Sequence, residues 1–278
     1  MQTGVSTASL FMRKYNEEAL PLLNDLGVKT AEVFLTSFSE YGKEFGEVLA
    51  KVKGSLTVNS VHALNTEFEP QLFSAHPRVK ADAYGWLDKV LESAVCLGAP
   101  YYSFHGTSRV KKASRSGKYD DFPSMIRGFD ELTAHCKARG VTLCLENVEW
   151  STYNRLGVFA TLAEALPELR GVLDIKQARI SGYPYEEYLR EMGEKLAHVH
   201  ISDVDERGKI RLPGQGVFDF DTLVKRLKDV GFDGALLIEV YKNDYTDVTE
   251  LKTACDFVDE ILYKNNVLRS SIRKVDFY

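Results

Sequence analysis

The alternation of short apolar runs with amphipathic stretches constrains this chain more than any other feature. Strand-like runs fall near 2–6, 31–35, 56–61, 99–104, 141–146, 171–174, 197–201 and 235–240, each short enough to be a buried strand. Between them lie helix-like stretches such as Tyr84 to Leu97 and Phe122 to Arg139. The second carries Met125, Ile126, Phe129, Leu132 and Cys136 at helical spacing. Gly27, Gly98, Gly140 and Gly231 each stand between a helix-like stretch and the next strand, where glycine relieves a left-handed C-cap. Eight such units in about 265 residues match a (β/α)8 barrel, and strict alternation implies parallel strands joined by right-handed crossovers. A doubly wound open sheet also alternates, but Thr7-Ala8-Ser9-Leu10, after the first strand, offers no glycine cradle for a dinucleotide. The expected fold is an α/β (β/α)8 TIM barrel.

A chain of 278 residues has room for one such barrel or for two modest domains. No linker rich in Pro, Gly or Ser divides it, so residues 1–264 are expected to form a single domain. Residues 265–278 form a tail placed to pack on a neighbour or partner subunit. The net charge of −5 argues against a broad nucleic-acid surface, and the nearest thing to a basic patch runs from Arg109 to Arg115. Cys96, Cys136, Cys144 and Cys255 lack CxxC spacing and read as reduced thiols. No apolar run approaches the roughly 20 residues of a membrane span, and Met1-Gln2-Thr3-Gly4-Val5 lacks signal-peptide character. A cytoplasmic protein without membrane or nucleic-acid partners is the expectation.

Four strand-like runs in the second half end on potential metal ligands. They are Leu143-Cys144-Leu145-Glu146, Gly171-Val172-Leu173-Asp174, Ala197-His198-Val199-His200 and Leu236-Leu237-Ile238-Glu239. Such groups are costly to bury unless paired or coordinated. In a barrel the C-terminal strand ends share the face that carries the active site. Glu146, Asp174, His200 and Glu239 would converge there although they lie 28, 26 and 39 residues apart. Two Glu, one Asp and one His suit one divalent ion, Mn²⁺, Mg²⁺, Co²⁺ or Zn²⁺, and leave positions where a substrate can chelate. His198 points to the same side as His200 by strand alternation, and the pattern alone does not choose between them. His62 and His105 end earlier strands and face the same site.

The motifs Glu146-Asn147, Asp174, His198-Val199-His200-Ile201-Ser202-Asp203, Pro213-Gly214-Gln215-Gly216, Phe218-Asp219-Phe220 and Ile238-Glu239 stand in an order that resembles the xylose-isomerase-like TIM-barrel superfamily. That group includes sugar isomerases and epimerases, hydroxypyruvate isomerase, inosose dehydratase and endonuclease IV. The resemblance covers nearly the whole chain. It implies His200 rather than His198 as the ligand, hence a metal set of Glu146, Asp174, His200 and Glu239. Endonuclease IV needs further His and Asp ligands for three zinc ions. Here Gln177 and the segment Lys209-Ile210-Arg211-Leu212-Pro213 occupy those places, so that activity is not expected.

The resemblance implies a metal-dependent isomerase or epimerase of a small sugar or hydroxy-ketone. The metal would stabilise an enediolate while Glu146 and Glu239 act as the acid/base pair. Substrate would contact His62, His105, Lys176, Gln177 and Arg207. Gln177 stands where many relatives carry His, and it can hydrogen-bond a substrate oxygen but exchanges no proton at neutral pH. Arg207, if it is not a plain surface turn residue, would neutralise the enediolate; Lys176 could serve instead, or bind an acidic substrate. Pro213-Gly214-Gln215-Gly216 could offer N–H groups to a phosphate or be a bare turn. Trp150 and Tyr153 are candidates for an apolar rim, and Glu32 for a contact with substrate or support of the core. Asn147 and Asp203 are expected to orient ligands. The alternatives are a dehydratase of cyclitol or dehydroshikimate type and a ligand-binding barrel without turnover. Relatives commonly pair or form tetramers, which leaves a homo-oligomer open.

Overall fold

In the computed structural model, eight parallel strands close into a barrel. Residues 1–64, 68–107 and 122–267 are described; the basic segment Arg109 to Arg115 and the tail beyond Val267 lie outside the described residues. The strands are β1 (Gln2–Ser6), β2 (Thr30–Leu35), β3 (Thr57–Ala63), β4 (Tyr101–Phe104), β5 (Thr142–Glu146), β6 (Arg170–Asp174) and β7 (Leu196–Ile201). An antiparallel hairpin of β8 (Asp203–Val204) and β9 (Ile210–Arg211) follows, and β10 (Ala235–Ile238) completes the barrel. Around the ring the order is β1, β10, β7, β6, β5, β4, β3, β2, with closure by pairing Gln2 to Ala235 and Val5 to Ile238.

Helices cover the outside: α1 (Asn16–Asp25), α2 (Lys43–Val52), α3 (Pro77–Leu97), α4 (Phe122–Lys137), α5 (Val158–Ala165), α6 (Ile175–Ser181), α7 (Tyr185–Met192), α8 (Phe220–Asp229) and α9 (Glu250–Lys264). The helix read from Tyr84 begins at Pro77, because its opening residues Arg78, Lys80 and Asp82 are polar and dilute the apolar period. Pro at the first position costs no hydrogen bond there, and Gly98 at φ 69° ends the helix in the left-handed conformation. No helix among the described residues is long and apolar enough to cross a membrane.

Two irregularities shape the interior. The β2–β3 register shifts between Ala31 and Glu32, so that Glu32 stands opposite Ser60. The β6–β7 register shifts between Gly171 and Val172, which sets Val172 against His198 and Asp174 against His200. Bulges of this kind re-aim side chains without ending the sheet. β3 runs on to Ala63, so His62 lies inside a strand rather than at its end, whereas β10 stops one residue short of Glu239.

The segment carrying Glu239 is held by the opening residues of the chain. Ser9 Oγ donates to the Ile238 carbonyl at 3.1 Å and accepts the Val240 N–H at 3.2 Å, and the Tyr245 hydroxyl donates to Ser9 O at 2.7 Å. The Arg13 guanidinium donates to the carbonyls of Lys242, Tyr245 and Thr246 and lies 4.0 Å over the Tyr245 ring.

Backbone proximity at the closing seam is strict. A Cβ at Gly4 would lie 2.5 Å from the Thr30 carbonyl oxygen and 2.8 Å from Leu237 Cδ2. Gly4→Ala is therefore expected to lower stability by about 1–3 kcal/mol through overpacking. The check is the urea unfolding midpoint, and a midpoint equal to that of the parent chain would contradict the packing argument.

Candidate metal centre

Four ligand atoms, one each from Glu146, Asp174, His200 and Glu239, lie within 4.8 Å of one another at the C-terminal mouth. His200 Nδ1 is 3.2 Å from Glu146 Oε1 and 3.1 Å from Glu239 Oε2. Asp174 serves two purposes. Its Oδ1 accepts the Gln177 N–H at 2.8 Å and so caps α6, while its buried Oδ2 accepts no hydrogen bond and faces the cluster. Asn147 fixes the Asp174 backbone from both sides: its Nδ2 donates to Asp174 O at 2.9 Å, and its Oδ1 accepts Asp174 N–H at 2.7 Å. Three carboxylates this close repel one another, and their burial calls for compensating positive charge, of which His200 and Lys176 supply part. The donor set is of the kind that takes a divalent ion.

His62 and His105 form a second flank. Their Nε2 atoms are 3.1 Å apart, and His105 Nε2 is 3.3 Å from Glu146 Oε2. Together with Glu146 they make a further group that could hold an ion, as do Glu32, His62, His200 and Glu239. Behind His105 stands Glu69, fully buried, which accepts from the Tyr102 hydroxyl at 2.7 Å and from the His105 N–H at 3.0 Å. Glu69 sits in a single 3-10 turn (Glu69–Phe73), with no strand or motif to mark it in the sequence. Lys176 is also buried, its Nζ 3.2 Å from Glu239 Oε1 and 3.5 Å from Asp174 Oδ2, with the Tyr241 ring 4.5 Å away.

The electrostatics follow from this crowding. Burial opposes a charge on His200, yet Glu239, Glu32 and Glu146 push it well above the ordinary imidazole range. Burial likewise opposes ionised Glu146, but His200 and hydrogen bonding with His105 hold it well below the usual carboxylate range. Asp174 differs: burial raises it to about 6, with Lys176 opposing and Glu146 and Glu239 adding to the rise. Lys176 stays charged because Asp174 and Glu239 outweigh its desolvation.

Several expectations are corrected by the geometry. Arg207 is exposed in the turn of the β8–β9 hairpin, where its N–H donates to Asp205 at 3.0 Å, and it shares no contact with the cluster among the described residues. A two-residue strand pair places that turn out in solvent. Asp203 orients no ligand. Its carboxylate accepts the N–H groups of Val204, Gly214, Gly216 and Phe218, so the Pro213–Gly216 turn has no free donors there for a phosphate. Tyr153 lines no rim: it is fully buried, packed on Phe159 and Tyr188. Trp150 does reach the centre, 5.0 Å from the His105 ring. Gln177 is buried, with Oε1 accepting from Glu149 N–H at 3.5 Å.

Burial opposes a charge on His105, but hydrogen bonds with Glu146 and Glu69 push it up to about 10. The folded chain therefore holds a proton there that the unfolded chain releases near the ordinary imidazole value. The stabilisation is complete below pH 6.5 and lost as pH rises towards about 10. In chelator-treated protein, the difference in urea midpoint between the parent chain and His105→Gln is expected to be largest near pH 6 and to shrink towards pH 10. A difference that grows with pH would contradict this.

The site can be set beside known proteins. A 24% identical relative over 248 residues, 86% of this chain and 88% of its own length, is an uncharacterized protein of Methanocaldococcus jannaschii. The fructoselysine 3-epimerase of Escherichia coli O157:H7 is 26% identical over 124 residues, 42% of this chain and 44% of the enzyme. Among solved structures, the fold resembles a D-psicose 3-epimerase from Clostridium cellulolyticum H10 with D-tagatose. There the TM-score is 0.74 at 17% identity, over 94% of this chain and 99% of that one. It also resembles an IolI protein with a bound zinc atom, with a TM-score of 0.74 at 18% identity, over 98% of this chain and all of that one. The xylose isomerase-like TIM-barrel family model matches residues 20–261, so the chain belongs to the xylose isomerase-like TIM-barrel family.

Proposed function

We propose that this protein is a divalent-metal-dependent epimerase or isomerase of a small ketose or ketose-like hydroxy-ketone. The observation that carries the reading is the convergence of Glu146, Asp174, His200 and Glu239 within 4.8 Å at the barrel mouth. The named activities of the fructoselysine and D-psicose 3-epimerases lend it support.

When bound, a divalent ion supplies Lewis-acid polarisation of adjacent hydroxyl and carbonyl oxygens. Asp174 and His200 serve only to hold it, since Asp174 is committed to the α6 cap and His200 is wedged between carboxylates. Glu146 and Glu239 have a second task. They reach the centre from β5 and from the end of β10, strands separated in the barrel by β6 and β7, and so flank the substrate from different sides. One carboxylate removes the proton on the carbon next to the carbonyl, and the electron pair moves into the carbonyl to give an enediolate. The other Glu, starting as the carboxylic acid, gives its proton to that carbon from the opposite face, which inverts it and leaves this Glu ionised while the first keeps the abstracted proton. Lys176 faces the developing negative charge with a fixed ammonium. His62, His105 and Gln177 supply hydrogen bonds to substrate hydroxyls from the other flank.

Chelation of the metal is expected to abolish turnover, with recovery on adding back Mn²⁺, Mg²⁺, Co²⁺ or Zn²⁺. Metal uptake should release a proton from His200, read as a buffer-dependent heat in titration calorimetry. Glu146→Gln and Glu239→Gln are each expected to slow deuterium wash-in from solvent by about 100-fold or more. Full wash-in by both variants would sink the acid/base assignment. Lys176→Met is expected to lower kcat about 100-fold with a smaller change in KM. Loss of water from the substrate would point to a dehydratase, and thermal stabilisation by a ketose with neither turnover nor wash-in would point to a binding protein.

A further inference from the structure

Beneath the four ligands lies a carboxylate to which no catalytic step has been given. Glu32, in the middle of β2, is fully buried and points into the barrel. Its Oε2 accepts from the hydroxyls of Ser60 at 2.7 Å and Ser103 at 2.6 Å, and its Oε1 accepts from the Ser6 hydroxyl at 3.1 Å. Three imidazoles surround the same group: His200 Nε2 is 3.0 Å from Oε1, His198 Nε2 3.4 Å from Oε2, and His62 Nδ1 3.6 Å from Oε1. The donors come from β1, β3, β4 and β7, so one side chain ties five strands of the ring together.

The direction of these bonds is constrained. The single proton of Ser103 goes to Glu32, so its oxygen is left to accept from His198 Nε2, 3.0 Å away. Both oxygens of Glu32 meet donors, the Ser60 and Ser103 hydroxyls at Oε2 and the Ser6 hydroxyl at Oε1, and His200 Nε2 lies 3.0 Å from Oε1. An anion fixed beneath His200 Nε2 calls for N–H on that nitrogen. The other nitrogen, Nδ1, 3.2 Å from Glu146 Oε1 and 3.1 Å from Glu239 Oε2, is then the one that gives up its proton and offers its lone pair to an ion held by Glu146, Asp174 and Glu239. A carboxylate behind a ligating imidazole fixes both tautomer and ring orientation.

We propose that Glu32 is the positioning residue of the centre. It holds His200 in the Nε2–H form with Nδ1 facing the ion, and its serine cradle keeps the carboxylate itself from turning. This inference rests on the metal centre proposed above, but not on the reaction assigned to it.

Zn²⁺ is the probe, because it is diamagnetic and its binding can be read without any turnover. Glu32→Gln keeps the reach and loses the charge, whereas Glu32→Asp keeps the charge and withdraws the oxygens by one methylene. Each variant is expected to raise the Zn²⁺ Kd by about 10- to 100-fold in titration calorimetry on the full chain. In the Zn²⁺-loaded parent chain, ring nitrogen-15 spectra should report His200 with a protonated Nε2 whose hydrogen exchanges slowly. In both variants that hydrogen should exchange faster. Wild-type affinity within threefold in both variants overturns the proposal. So does a loss in the Gln variant with none in the Asp variant, since that pattern reflects bulk charge alone. Absence of Zn²⁺ binding by the parent chain also overturns it. If Glu32→Gln does not fold, Ser103→Ala, which removes one cradle hydroxyl, is expected to give an intermediate loss of affinity, and unchanged affinity there overturns the proposal. Zn²⁺ binding that behaves as expected in a chain inert towards ketoses would refute the reaction and leave the role of Glu32 standing.

Discussion

Charge compensation in a closed, dry barrel is the constraint on which this mouth depends. Glu32, Glu69, Glu146 and Asp174 are all buried, and a buried carboxylate costs several kcal/mol to ionise unless it is matched. The matches come in layers. Serine hydroxyls and three imidazoles meet Glu32, a tyrosine hydroxyl and backbone N–H groups meet Glu69, and Lys176 meets Asp174 and Glu239. The upper ring of Glu146, Asp174 and Glu239 keeps an excess of negative charge that a divalent ion would offset. The layers below fix the positions from which that ring is presented.

Much of this was legible in the sequence, because a parallel barrel converts strand ends into neighbours. The four apolar runs ending on Glu146, Asp174, His200 and Glu239 announced the ring, since a buried run that ends on a charge needs a partner. His62 and His105 were legible for the same reason. Glu32 was harder to weigh, as a charge in mid-strand reads as a surface residue until both faces of the strand are known to be covered. Glu69 gave no signal at all. It lies in a one-turn helix between β3 and α3, and only the folded chain brings it behind His105.

The misreadings share one cause, which is loop geometry. Asp203, two residues beyond β7, looked placed to orient a ligand, but its buried carboxylate gathers the N–H groups of the Gly214–Phe218 segment instead. Arg207 was carried into the solvent by the same hairpin. Tyr153 packs inward because the segment after β5 doubles back over α5 and α7. Period-2 and period-3.6 patterns specify faces of strands and helices, but they carry no information about the direction a loop takes.

The grip of Ser9 and Arg13 on the segment from Ile238 to Thr246 has a consequence for biosynthesis. The residue that seats Glu239 leaves the ribosome more than two hundred positions before Glu239 itself. Domains generally acquire structure as the chain emerges, yet here the opening loop must wait for the closing strand before either has its final partner. An incomplete chain thus carries Glu146 without Glu239 beside it, and the proposed proton exchange at the mouth requires that Ser9 and Arg13 have first met the segment from Ile238 to Thr246.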